Sequence, residues 1–231
     1  MKPSSLFKSL ALAVGILAAG TAAASPITLG SQVNIDDAQF WDPINLSSSV
    51  KVSINGVGST IRSGLFDIDA TTVPGGDYVR LLAFCLQPDV LLRKYDNPYT
   101  AVDIGSSAVV GDATGIAKLW AAYRDDVVDG VSAAAFQVAV WELAFDGDDD
   151  LSSGNFQSTN PSAVLTLANT WLASLGSLTA TAKNLVVLQD DPQGPYGDKQ
   201  DLLIQTPIPG TLGLVGLGLL GLGGLRRKKQ A

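Results

Sequence analysis

Histidine is absent from the chain, and cysteine occurs once, as Cys85. Each lack removes a class of chemistry. Without imidazole there is no Ser-His-Asp or Cys-His nucleophile pair and no zinc site built on histidine. A lone thiol forms neither an intramolecular disulfide nor a thiolate metal cluster. Cationic side chains are also scarce: of 15 Lys and Arg, Lys2 and Lys8 lie near the start and Arg226, Arg227, Lys228 and Lys229 near the end. The stretch between them holds nine Lys and Arg against all 22 Asp and Glu, a net charge of −13. Such a field repels phosphate backbones, so nucleic-acid binding is excluded. It suits solubility and contact with cations or cationic polymers. Paired carboxylates for glycoside hydrolysis are formally available, but no pair stands out from the acidic background, and no enzyme activity or cofactor is expected.

Both ends of the chain are apolar. Lys2 and Lys8 precede an uncharged run from Leu10 to Ala19, and Ala22-Ala23-Ala24 supplies small residues before Ser25-Pro26. This is the layout of a secretory signal peptide spanning residues 1–24, cleaved after Ala24. The run is shorter than the ~20 residues of a membrane span. At the other end, Thr206 to Leu225 carries no charge. Residues 208–225, as a helix, reach roughly 27 Å, barely enough for a bilayer core of ~30 Å. Arg226, Arg227, Lys228 and Lys229 follow at once and hold that end cytoplasmic. An exported domain over residues 25–205, tethered by a C-terminal transmembrane helix, is the expected arrangement. The succession Thr206-Pro207-Ile208-Pro209-Gly210-Thr211, Leu/Gly span and basic tail resembles the PEP-CTERM sorting signal of Gram-negative bacteria. The sequence departs from it at Ile208, where the usual residue is Glu. The resemblance implies an exosortase-type processing enzyme as partner, transient residence in the inner membrane and release toward the cell surface.

Between the ends, residues 27–110 read as strands and turns. Val50 to Ile54 alternates, Asn55-Gly56 signals a tight turn, and Val57 to Ile61 returns as a hairpin partner. Pro74-Gly75-Gly76-Asp77 makes another turn into Tyr78–Leu86, a central strand with Cys85 near its end. Beyond Thr114 the period becomes helical. Ile116, Leu119, Trp120 and Tyr123 share a face behind an Asp112 cap, a second helix runs from about Ser132, its expected cap, to Phe145, and a third starts at Ser162. Leu185–Leu188 is a late strand and Asp190 to Asp201 a polar loop. Strands, then helices, then a strand make an α+β domain, β-rich in its first part and helical in its second. Trp120, Trp141 and Trp171 fall one on each helix and are expected in the core. Tyr95-Asp96-Asn97-Pro98-Tyr99 reads as an ordinary turn.

The second helix is apolar on every side except at Gln137, so it is expected to be buried, and a buried primary amide is costly unless paired. Either a hydrogen-bond partner meets Gln137, or the amide is consumed in a covalent bond with Cys85. Attack of a thiolate on a glutamine carbonyl, with loss of ammonia, gives an internal thioester that stores acyl reactivity. Without chemistry, Cys85 is a small buried apolar residue and Gln137 bonds to backbone. Phe84-Cys85 with Pro88, followed by Phe136-Gln137-Val138-Ala139-Val140-Trp141, resembles the thioester domains of bacterial surface adhesins over roughly residues 78–157. The Leu151 to Phe156 segment adds to the likeness. The resemblance implies a bond between Cys85 and Gln137 supported by Phe84, Phe136 and Trp141, and a target carrying an amine or hydroxyl. Phe136 stands where a Thr often precedes the Gln. The alternative is a non-covalent structural protein of an exopolysaccharide matrix, bound to polysaccharide or cations. Asp146, Asp148 and Asp150 form the one acidic run with calcium character, yet Leu151 and Gln157 occupy the positions where an EF-hand needs Gly and Glu.

The tail makes a direct prediction. Deleting residues 206–231 should move the protein out of the membrane fraction; unchanged fractionation would count against the anchor.

Overall fold

The structure, a computed structural model, describes residues 27–40, 46–72, 77–92, 98–160, 162–190 and 199–206. The signal peptide, the Pro207–Pro209 motif, the 208–225 helix, Arg226 to Lys229, the Pro74–Gly76 turn and Tyr95–Asn97 lie outside them. Among the described residues no helix is long and apolar enough to cross a membrane.

The chain is mixed α+β. Six strands close an antiparallel barrel in the order β1 (Gln32–Phe40), β4 (Phe66–Thr71), β5 (Val79–Cys85), β9 (Leu202–Gln205), β8 (Leu185–Gln189) and β6 (Tyr99–Asp103), which returns to β1. A separate three-stranded sheet has β2 (Ser47–Ile54) in the centre, flanked by β3 (Val57–Gly64) and β7 (Phe156–Asn160). Closure leaves the barrel without an open edge strand.

Local chemistry explains the joints. The β2–β3 hairpin turns at Asn55 and Gly56, with φ of 52° and 82°, as an Asn-Gly turn of the primed type requires. At Gly64 the chain leaves the small sheet for the barrel, and a Cβ there would run into the Leu46 carbonyl, which accepts from Leu65 N–H at 2.9 Å. Only glycine fits that crossing.

Three helices cover the sheets: α1 (Ala113–Tyr123), α2 (Gly130–Phe145) and α3 (Ser162–Ser174). Asp112 caps α1 through Gly115 N–H, as the sequence predicts. Ser132 is not the cap of α2. The helix begins two residues earlier at Gly130; Asp129 is the N-cap, and Ser132 is the third helical residue of a reciprocal capping box. Every residue from Ser132 to Ala144 is buried, because β2, β3, α1, α3, β5 and β7 surround α2. Helix α2 meets β3 at Ala134, whose carbonyl accepts from Ser63 Oγ at 3.3 Å.

Tyr99, read as the end of a turn, is instead the buried first residue of β6, and two later strands escaped the sequence reading altogether. β7 is short and polar, QSTN after Phe156. β9 directly follows what reads as a polar loop, yet Lys199, Gln200 and Asp201 at the end of that loop are buried. The pattern misleads there because charged side chains go inside when they are paired.

The capping box yields a stability prediction. Asp129→Ala should lower the unfolding free energy by about 1 kcal/mol in chemical denaturation. The hydrogen bonds from Ser132 hold the Asp129 carboxyl below its ordinary value. The cap's contribution is therefore present above the ordinary carboxyl range and lost as pH falls through the depressed value, so the deficit should close in acid.

Candidate functional site around Cys85 and Gln137

Strand β5 has two neighbours over most of its length, but they do not run equally far. Its pairing with β4 ends at Phe66 opposite Ala83, whereas pairing with β9 continues through Cys85 opposite Leu202. Leu86 N–H then donates to Asp201 O at 2.9 Å. The next partner on the β4 side would be Gly64, and there the chain has already crossed to the small sheet. Cys85 N–H and C=O are thus left without a strand beside them, in a site where Cys85 is 2% exposed. Buried main-chain groups need partners.

Gln137 supplies them. Its Oε1 accepts from Cys85 N–H at 2.8 Å, and its Nε2 donates to Cys85 O at 2.7 Å. The side-chain amide takes the place of the missing strand, and Gln137 itself is 0% exposed. The two residues singled out in the sequence therefore meet, 52 positions apart, in a buried contact. The amide carbon of Gln137 is held beside the residue that carries the thiol. The Sγ–H itself is turned to Gln200, donating to Oε1 at 2.7 Å. Burial pushes the Cys85 thiol well above its ordinary pKa, so it rests as the neutral form.

Aromatic rings fix the helix against the strand. Phe84 and Phe136 lie 4.6 Å apart between centroids, and Trp120 meets each of them edge-on at 5.8 Å. Trp171 reaches Phe136 at 6.2 Å. Phe84 and Phe136 thus pack against each other next to the Cys85–Gln137 contact. Trp141 is buried but packs against Phe156 at 5.9 Å, on the side of the small sheet. The ring closing the cluster beside Phe84 and Phe136 is Trp120, which the sequence placed only in the core.

A buried ionic group closes the same end of the barrel, and its residues went unnoticed in the sequence. Lys199 Nζ pairs with Asp190 at 3.2 Å and lies 4.1 Å from the ring centre of Tyr99. Asp190 N–H donates to Asp201 at 2.7 Å. Burial, reinforced by the Asp190 charge, raises Asp201 to about 6 despite its hydrogen bond and Lys199. Tyr99, at the start of β6, is also raised by burial and by Asp190, Asp201 and Cys85. Each of these residues is near in sequence to an acid or a turn, and only spacing in the barrel brings them together.

The acidic run does not assemble a metal centre. Among the described residues no group of three Asp, Glu, His or Cys converges. Asp146 accepts from Asn155 and Phe156 N–H at 2.9 and 2.8 Å, and Asp150 accepts from Ser152 and Ser153. These carboxylates organise the loop after α2. Glu142, one turn back on α2, is fully buried and finds no N–H or O–H donor. Its carboxyl lies against Asp148; burial first, then that contact and the charges of Asp148, Asp146 and Asp150, raises it to about 9. Two carboxylates offer each other no hydrogen, so one proton held by Glu142 is what makes the contact favourable.

No known protein family, curated protein or solved structure matches the chain.

Glu142 predicts a pH dependence. The folded protein holds a proton that the unfolded chain releases, so its contribution is fully present below the ordinary value of 4.5 and declines as pH rises toward about 9. Glu142→Gln keeps the shape without the titration. Thermal denaturation across that interval should show the variant gaining on wild type as pH increases; parallel curves would contradict the assignment.

Proposed function

We propose that Cys85 and Gln137 form an internal thioester, and that the protein is an exported surface protein that attaches covalently to a target bearing an amine or hydroxyl. One observation carries the reading: the only thiol-bearing residue has a buried glutamine amide laid against its own main chain. Bond formation joins Cys85 Sγ to Gln137 Cδ and expels Nε2 as ammonia, the thiol hydrogen leaving with it. Turning the Cys85 side chain from Gln200 toward the amide brings the sulfur to the carbon. Negative charge then develops on Oε1, where Cys85 N–H at 2.8 Å stands as an oxyanion donor. Burial of both residues keeps water from the acyl group. A target amine entering the site takes the acyl group from sulfur as an amide of residue 137, and Cys85 regains its hydrogen. The protein is consumed as a reagent and does not turn over.

The leader and the sorting-type tail support export and surface display after passage through the inner membrane and exosortase-type processing. The surface charge of the exported part keeps it from nucleic acid.

A second reading has its own support. Both hydrogen bonds from Gln137 satisfy the amide without chemistry, so the same geometry suits a non-covalent matrix protein that meets polysaccharide or cations with its acidic surface.

Intact mass separates the two. The purified exported protein should be lighter than its sequence by one ammonia, methylamine should add to residue 137, and Cys85→Ala should abolish both effects while retaining the fold. Full mass and indifference to amines would leave the non-covalent reading.

A further inference from the structure

Gln200 is 6% exposed and accepts the Cys85 thiol hydrogen bond from the segment that leads into β9. Its setting is over-determined by main-chain contacts. Asp201 N–H donates to Gln87 Oε1 at 2.9 Å, and Gln200 N–H donates to Leu91 O at 3.3 Å. The Gln200 side chain spends its Nε2 on the Gln87 carbonyl. With Nε2 committed to the Gln87 carbonyl, the other end of the amide, Oε1, receives the Cys85 S–H at 2.7 Å. The reversed amide would set two carbonyl oxygens against each other, which fixes the assignment of the ends.

This arrangement has a consequence for the bond proposed above, on which it rests. An acceptor for S–H stabilises the thiol and not the thiolate, and the thiolate is the attacking species. We propose that Gln200 is the positioning residue of this site, holding Cys85 as a protonated thiol through the Sγ–H bond to its Oε1 and thereby setting the pH at which the thioester forms. The charged and titratable groups facing the thiol end of the barrel are Tyr99 from β6, Asp190 after β8, and Lys199 and Asp201 before β9. Lys199 and Asp190 are paired with one another, and the hydrogen-bond partner of the sulfur is Gln200. On the helix side the neighbours are the Phe84, Phe136 and Trp120 rings, with Arg124 over Phe84 and Trp120 at 5.9 Å. A single neutral hydrogen bond is worth roughly half to one pH unit of thiol pKa.

The test follows ammonia loss by intact mass after refolding the full exported chain at a series of pH values. In Gln200→Met the profile should move to lower pH by about half to one unit. Gln87→Ala, which loosens the same segment but leaves the Gln200 amide its main-chain partner, should keep the wild-type profile. A Gln200→Met profile identical to wild type, or an equal shift in Gln87→Ala, would overturn the proposal. A second arm uses the methylamine-treated protein, in which the thiol is free and residue 137 keeps an amide for the Cys85 main chain. Titration of thiolate absorbance there should show a lower midpoint when Gln200→Met is added, and an unmoved midpoint would overturn the hold on the thiol. Should wild type retain full mass, the thioester reading itself falls, and the titration arm still decides whether Gln200 governs the thiol. If Gln200→Met fails to fold, Gln200→Asn, which withdraws the carbonyl from the sulfur, takes its place in both arms with the same expected direction.

Discussion

The unfilled place beside Cys85 in the β5 ladder is the constraint on which the surrounding structure depends. A buried N–H and C=O of one residue lose their strand partner because the chain crosses between sheets at Gly64, and something must replace it. A side-chain amide is the one neutral group that presents an acceptor and a donor side by side, in the manner of a peptide edge. Bringing it there demands a helix that is apolar all round, and α2 is buried from Ser132 to Ala144, meeting β3 at Ala134. The Phe84, Phe136, Trp120 and Trp171 rings then hold helix to strand. Removal of any of these parts would be felt at the Cys85–Gln137 contact.

Buried polarity is divided between two places with opposite logic. At the barrel end near the thiol, Asp190 and Lys199 pair with each other and Lys199 lies against Tyr99, while burial holds the thiol neutral. At the C-terminal end of α2, like charges crowd together, and Glu142 takes up a proton because burial and its acidic neighbours both oppose ionisation. The first arrangement keeps a potential nucleophile quiet. The second secures the turn from α2 into the loop that carries Asp146 and, through its hydrogen bonds to Asn155 and Phe156, the start of β7.

Regular elements with strong local signals were legible in the chain. The Asn55-Gly56 hairpin, the Val79–Cys85 strand, the Asp112 cap and the late strand from Leu185 all appear where hydrophobic period and turn chemistry place them. Ser132 was mistaken for a cap because capping boxes put a suitable residue at both of their ends, and Asp129 takes the outer one. The short strands β7 and β9 escaped because β7 is polar after Phe156 and β9 is a four-residue run between a polar loop and the tail. The candidate pair of Cys85 and Gln137 was legible for a simple reason: a unique thiol, and a lone polar residue on an otherwise apolar helix. Gln200, Lys199 and Asp190 were not, since polar residues in a polar stretch look like a loop until a barrel closes around them.

The chain by itself determined what chemistry is open to it: no histidine, one thiol, a strongly acidic middle and apolar ends with basic flanks. It also determined that α2 must be buried and that its single amide must be accounted for. Only the tertiary structure decided how. Closure of the barrel is a matter of which strands pair across long separations, and such pairing leaves no trace in local pattern. In that arrangement pairing with β4 ends at Ala83, two residues before Cys85, Gln137 fills the place left open, and Gln200 meets the thiol. Residue types limit which bonds can exist; the geometry of the ladder selects which groups stand next to each other to make them.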